Sequence, residues 1–227
     1  MAHAWVGLLL WVPLAVSAAE ADALYIEFLW ASPPAGALAR QQTRQFVTEG
    51  AFAHQICVAA EARDKDVGGL TLDIADATGA PMSRHVFADY RGRKRCFPAD
   101  LGHGGAPGLW RVGVALGDGR QAEAMIRVDR RIEASPYLRE PGIAYVYGRP
   151  NYDAGIPAEQ WVGRVEWQMD VDAQGRVTHV QVVSAEGVGE RLRERAIAAG
   201  YISLFPPDPA RLTTPLQVRR SLSFAPE

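Results

Sequence analysis

Gly163-Arg164-Val165-Glu166-Trp167-Gln168-Met169-Asp170-Val171 alternates with period two, so Val165, Trp167, Met169 and Val171 fall on one face. An extended backbone sends successive side chains to opposite sides, which makes such a run a strand with one buried face. Asp172-Ala173-Gln174-Gly175 follows as a hairpin loop, with Gly175 where positive φ is wanted. Arg176 to Ser184 is the returning strand, with Val177, Val180, Val182 and Val183 as its apolar residues. Gly189 to Gly200 is spaced as a short helix: Leu192, Ala196 and Ala199 share one face, and Arg191, Arg193, Glu194 and Arg195 lie mostly on the other. Gly200 suits its C-terminal stop. After the break at Phe205-Pro206-Pro207-Asp208-Pro209, Leu216 to Phe224 forms a last strand with Leu216, Val218, Leu222 and Phe224 on one side. The order is strand, strand, helix, strand.

Upstream, residues 22–133 read as all-β. Leu70 to Ile74 alternates, Ala75 to Ala80 carries turn residues, and Arg84 to Phe87 resumes extended structure. Trp110, Val112, Val114 and Leu116 fall on one face of the next run, and Asp118-Gly119 turns the chain into the alternating stretch Glu123 to Val128. Short strands at this spacing, one apolar-face Trp and two cysteines suggest an immunoglobulin-like sandwich. Residues 134–158 carry Pro136, Pro141, Gly142, Gly148, Pro150, Gly155 and Pro157, and such punctuation predicts an irregular or extended linker before a second unit at 159–227. The fold class expected from these parts is α+β, a sandwich followed by a small strand–strand–helix–strand domain.

The chain of 227 residues is 48% hydrophobic and 22% charged, with a formal charge of −2, which leaves no basic surplus for a nucleic-acid backbone. Ala4 to Ala19 is almost wholly apolar and ends in Val16-Ser17-Ala18-Ala19 before Glu20, as a cleavable secretory signal over residues 1–19 would. An uncleaved anchor is the other reading. Once exported, Cys57 and Cys96 would meet an oxidising compartment. Each sits in a strand-like context, so a bridge is expected, with two buried free thiols as the alternative.

The ordered string Gly163-x-Val165-x-Trp167-x-Met169-x-Val171-Asp172-x-x-Gly175-x-Val177-x-x-Val180-x-Val182-Val183-Ser184, then a short helix, Phe205-Pro206 and the ending Leu222-Ser223-Phe224, resembles the C-terminal domain of TonB-type energy transducers. Members usually carry Pro-x-Tyr-Pro before the first strand; this chain has Pro150-Asn151-Tyr152 followed by Asp153. The resemblance implies a non-enzymatic protein that grips a peptide segment of an outer-membrane TonB-dependent transporter by strand addition, supporting energy-dependent transport. The residues it assigns to the partner are Tyr152 and the strand Leu216, Gln217, Val218, Arg219, Arg220, Ser221, Leu222, Ser223 and Phe224, with Arg219-Arg220 facing acidic residues of the peptide. The competing reading of the polar positions is that they only keep an exposed strand soluble. Full-length transducers keep an inner-membrane helix that engages a proton-driven motor; here that partner follows only if the N-terminal segment stays attached. A periplasmic interaction protein using the sandwich, with the C-terminal unit docking or forming a homodimer, is the alternative class.

No catalytic, cofactor or metal site is expected. Gly-x-Ser-x-Gly, His-Glu-x-x-His and phosphate-loop patterns are missing, and Gly102 to Gly108 precedes a strand where a dinucleotide loop would open a helix. His54, His85, His103 and His179 are scattered, and the basic run Arg91 to Arg95 reads as a solvated loop.

Overall fold

The computed structural model describes residues 23–49, 53–60, 67–99, 101, 104–136, 142–151, 162–212 and 214–224. The expected signal peptide and Tyr152 lie outside them. Within them run β1 (Leu24–Leu29), β2 (Ala39–Gln42), β3 (Gln45–Val47), β4 (Gln55–Ala60), β5 (Leu70–Ala75), β6 (Pro81–Phe87), β7 (Arg95–Pro98), β8 (Gly108–Leu116) and β9 (Gln121–Asp129). They continue with β10 (Tyr147–Pro150), β11 (Gly163–Val171), β12 (Val177–Glu186), helix α1 (Glu190–Tyr201) and β13 (Leu216–Phe224).

Three sheets result, in the orders β10-β2-β1-β4-β7, β3-β9-β8-β5-β6 and β12-β11-β13. The first two share one core, to which Phe28, Ile56, Val58 and Phe97 come from one sheet and Phe46, Leu70, Leu72, Ile74, Trp110, Val112 and Ile126 from the other. The alternating runs supply it, because only every second side chain of β5, β8 and β9 points inward. Each fully buried Leu or Ile there contributes roughly 1.5–3 kcal/mol over leaving it in water. Trp110 is wholly buried and still satisfies its indole N–H, which donates to the Ala106 carbonyl at 2.8 Å. The Asp76 carboxylate builds the β5–β6 turn by accepting from the backbone N–H groups of Thr78, Ala80 and Ala106 at 2.8, 3.0 and 3.0 Å. The Ala106 and Thr78 bonds hold its pKa at about 2.

The third sheet has its own core of Val165, Trp167, Met169, Val171, Val177 and Val180, with Leu192 and Ala196 from α1 and Phe205 from the break that follows. Gly175 takes φ 79° in the β11–β12 turn, and a Cβ there would lie 1.9 Å from the Phe205 carbonyl oxygen. Only glycine lets the Phe205 N–H donate to the Gly175 carbonyl at 2.8 Å.

The expected α+β class is corrected. Among the described residues the structure is mostly β, with 51% in strands across three sheets and a single α-helix. The expected strand–strand–helix–strand order is present as β11, β12, α1 and β13, but the expected immunoglobulin-like sandwich gives way to two sheets in the orders above. The bridge is one reason: Cys57 and Cys96 are joined as register partners on the adjacent strands β4 and β7, so the disulfide lies within one sheet and does not tie two sheets together. Other details differ too. Arg195, expected on the polar helix face, is buried and donates to the Asn151 carbonyl at 2.6 Å. Gly200 lies inside the helix against Val180 and does not stop it.

The described part of 134–158 is structural. Tyr147 to Pro150 pairs with β2 from Gln42 to Ala39, and the same strand packs under α1. Arg195 ties the helix to Asn151, whose own N–H donates to the Leu38 carbonyl at 2.9 Å and whose side-chain amide donates to the Ala37 carbonyl at 2.6 Å. Val146 and Leu204 exchange backbone bonds, and a third cluster of Trp30, Val47 and Val146 closes the junction.

His54 anchors that junction from the sandwich side. It is 4% exposed, its ring stacks on Phe46 at 4.4 Å, and Trp30 meets it edge-on at 4.8 Å. The Val47 N–H donates to Nε2 at 3.2 Å, so Nε2 is the acceptor and Nδ1 carries the proton toward the Trp30 carbonyl at 2.9 Å. Burial lowers the pKa against the opposing pull of those backbone bonds. A histidine depressed in the folded state contributes stability that is complete above its unfolded value near 6.5 and is lost as pH falls below it. Urea midpoints should therefore drop between pH 7.5 and 5, and His54→Phe should flatten that slope while lowering stability at pH 7.5. An unchanged slope in the variant removes His54 as the titrating group. The Cys57→Ala/Cys96→Ala pair should cost about 3–4 kcal/mol in the same measurement, because the bridge closes a loop with a sequence separation of 39.

Candidate functional site

β13 carries the residues that the sequence assigns to a partner. It pairs with β11 antiparallel in unbroken register from Leu216↔Val171 to Phe224↔Gly163. Its other side has no strand partner among the described residues, because β11 is the centre of the sheet. Gln217, Arg219, Ser221 and Ser223 occupy the outer face and are exposed. Gln217 reaches the Asp170 carboxylate at 3.3 Å, and the Arg219 Nε reaches the Gln168 side-chain oxygen at 3.4 Å. These are long, neutral or solvent-screened contacts that leave both side chains easily recruited.

Arg219 and Arg220 do not act together. Consecutive strand residues point to opposite faces, and Arg220 lies on the inner face opposite Trp167. Its guanidinium stacks on the Tyr147 ring, 4.3 Å from the centroid. Leu216 and Leu222, on that same inner face, are only half-buried, while Val218 and Phe224 are buried beside Ala144. The inner face of β13 is thus covered by residues 142–147, whereas α1 covers β12 and β11. Tyr152, the expected aromatic neighbour, lies outside the described residues; the aromatic that touches β13 is Tyr147. Its sequence signal was weak, since a lone Tyr before Gly148 and Pro150 reads as linker.

The other edge of the sheet differs. β12 pairs with β11 through two irregularities, which leave Thr178 and Val183 as extra residues without opposite numbers. Such interruptions twist an edge and blunt further pairing. β13 has no irregularity, no proline and no lysine.

Among the described residues no group of three or more His, Cys, Asp or Glu side chains could hold a metal ion. No helix among them is long and apolar enough to cross a membrane. No family model, curated protein or solved structure matches the chain.

The support under β13 depends on one close approach. A Cβ on Gly148 would lie 1.7 Å from the Ala199 carbonyl oxygen, while the Gly148 N–H donates to Ser203 Oγ at 3.0 Å. Gly148→Ala should push α1 off β10 and cost about 1–3 kcal/mol, the usual range for overpacking. It should also loosen the Tyr147–Arg220 stack, read as altered Tyr147 and Arg220 side-chain signals. Unperturbed stability would show that β10 and α1 separate freely.

Proposed function

We propose that this chain is a non-enzymatic periplasmic binding protein that takes an extended segment of an outer-membrane transporter as an added strand on β13. One observation carries the reading: β13 is nine residues long, in unbroken register on one side and open on the other among the described residues. Strand addition uses the unpaired N–H and C=O groups of such an edge for affinity and the flanking side chains for selection. The exposed Gln217, Arg219, Ser221 and Ser223 supply polar selection on one face, and half-buried Leu216 and Leu222 supply apolar contact on the other. The blunting of β12 directs the partner to β13. The resemblance of about residues 143–227 to the C-terminal domains of TonB-type transducers points to the same occupant. Support for energy-dependent transport follows from that resemblance, and coupling to a proton-driven motor requires that residues 1–19 remain attached as an anchor.

Titrating the isotope-labelled protein with a peptide copied from the amino-terminal segment of a TonB-dependent transporter should shift the amide signals of Leu216 to Phe224 and slow their hydrogen exchange. The same peptide methylated on alternate backbone nitrogens should not bind. Absence of any shift in that strand, with the protein folded, refutes the proposal.

A further inference from the structure

β1 is an inner strand, paired with β4 along its length but with β2 only at Leu29, and its unpaired stretch opens into a groove. In β1 the Phe28 carbonyl accepts from the Thr43 N–H at 3.0 Å, and just past its end the Trp30 N–H donates to the Gln41 carbonyl at 2.9 Å, so the backbone groups of even-numbered residues of β1 face β2. The neighbouring strand agrees. The Val58 carbonyl accepts from the Tyr90 hydroxyl and the Ala60 N–H donates to the Gly92 carbonyl, both on the side away from β1. Ile26, opposite Val58, therefore turns its N–H and C=O away from β4. No strand meets them there among the described residues. β2 ends at Gln42, and the chain crosses to the other sheet as β3.

The crossing leaves a cavity of about 650 Å³ lined by Ile26, Arg44, Leu109, Met125, Ile143 and Arg149 among others. Leu109, Met125 and Ile143 are 49%, 41% and 41% exposed, large apolar side chains gathered at one place on the surface. The charges around them are unequal. Glu27 is saturated by Arg40, Lys94 and Gln42, and Arg127 is held by Asp129 at 2.8 Å. Arg149 meets only the neutral side chain of Gln42, at 3.1 Å, and the exposed Arg44 guanidinium has no side-chain partner among the described residues. The groove thus combines a free backbone donor and acceptor, three exposed apolar side chains and two uncompensated guanidinium groups.

We infer that this groove binds a short extended segment of another polypeptide, acidic and apolar by turns. It would pair with the backbone of Ile26, set apolar side chains on Leu109, Met125 and Ile143, and place a carboxylate against Arg44 and Arg149. The free edge is what selects a polypeptide over a lipid, because an acyl chain leaves that donor and acceptor unsatisfied. Guanidinium groups prefer carboxylates, which they bind through paired hydrogen bonds. The inference goes beyond the β13 reading, and neither depends on the other.

The test titrates the labelled full chain with a synthetic peptide alternating Asp with Leu and Phe, and with the same peptide carrying Lys for Asp. The acidic peptide should shift the amides of Ile26, Arg44 and 143–145 and protect the Ile26 amide from exchange, with only smaller shifts passed through the shared wall to 216–224. Arg44→Glu, a change at an exposed position, should weaken binding about tenfold or more, the scale of one charge-assisted contact. The Lys peptide should not bind. Four results overturn the inference: no saturable binding of the acidic peptide, equal binding of the Lys peptide, shifts confined to 216–224, or association with phosphatidylglycerol vesicles without peptide binding. Shifts confined to 216–224 would leave the β13 reading standing while removing this one.

Discussion

β10 is engaged twice, by hydrogen bonds to β2 along its edge and by the backbone of α1 against its face, and most of the architecture depends on that double engagement. It is a steric matter before it is an energetic one. With any side chain at Gly148 the helix could not approach, Ser203 could not accept from the Gly148 N–H, and Arg195 would lose its bond to the Asn151 carbonyl. The sandwich and the three-stranded sheet are therefore one body, and the segment between them is part of the first sheet.

What was legible in the sequence follows from periodicity. β5, β8, β9, β11 and β13 alternate cleanly because each has one face in a core and one in water, and Asp118-Gly119 and Gly175 mark turns whose backbone demands them. β1 was not legible. Leu24-Tyr25-Ile26-Glu27-Phe28-Leu29 is apolar on both faces apart from Glu27, since β1 sits inside its sheet with Glu27 neutralised by Arg40 and Lys94. β10 was hidden for a different reason. Its Gly148 and Pro150 look like linker punctuation, but proline is tolerated at the end of an edge strand and glycine is required by the helix above it. Arg195 illustrates a third limit, because helical spacing places it near the polar face while the carbonyl it donates to belongs to residue 151, far away in sequence. Of the candidate site, the strand and its face alternation could be read, whereas its supporting wall at 142–147 could not.

That wall has two sides. Ala144 and Tyr147 cover the inner face of β13, and Ile143, Tyr145 and Tyr147 line the groove beside β1. Two surfaces suited to extended chains thus share one thin element, which is held to the rest by Leu204 and by the Thr43 hydroxyl donating to the Tyr145 carbonyl at 2.8 Å. A ligand that stiffens the wall from one side alters the free energy of ordering it from the other, and such an influence is necessarily reciprocal.

The unequal edges of the three-stranded sheet would also limit growth of an assembly joined through that sheet. Were two copies to join antiparallel through β13, the contact would be self-complementary about a twofold axis, and the joint sheet would run β12-β11-β13-β13-β11-β12. Both outer margins would then be the interrupted strand with its surplus Thr178 and Val183. Growth would stop at two, as a closed assembly does and a fibril does not. The same geometry would make such a pair and a captured foreign strand mutually exclusive.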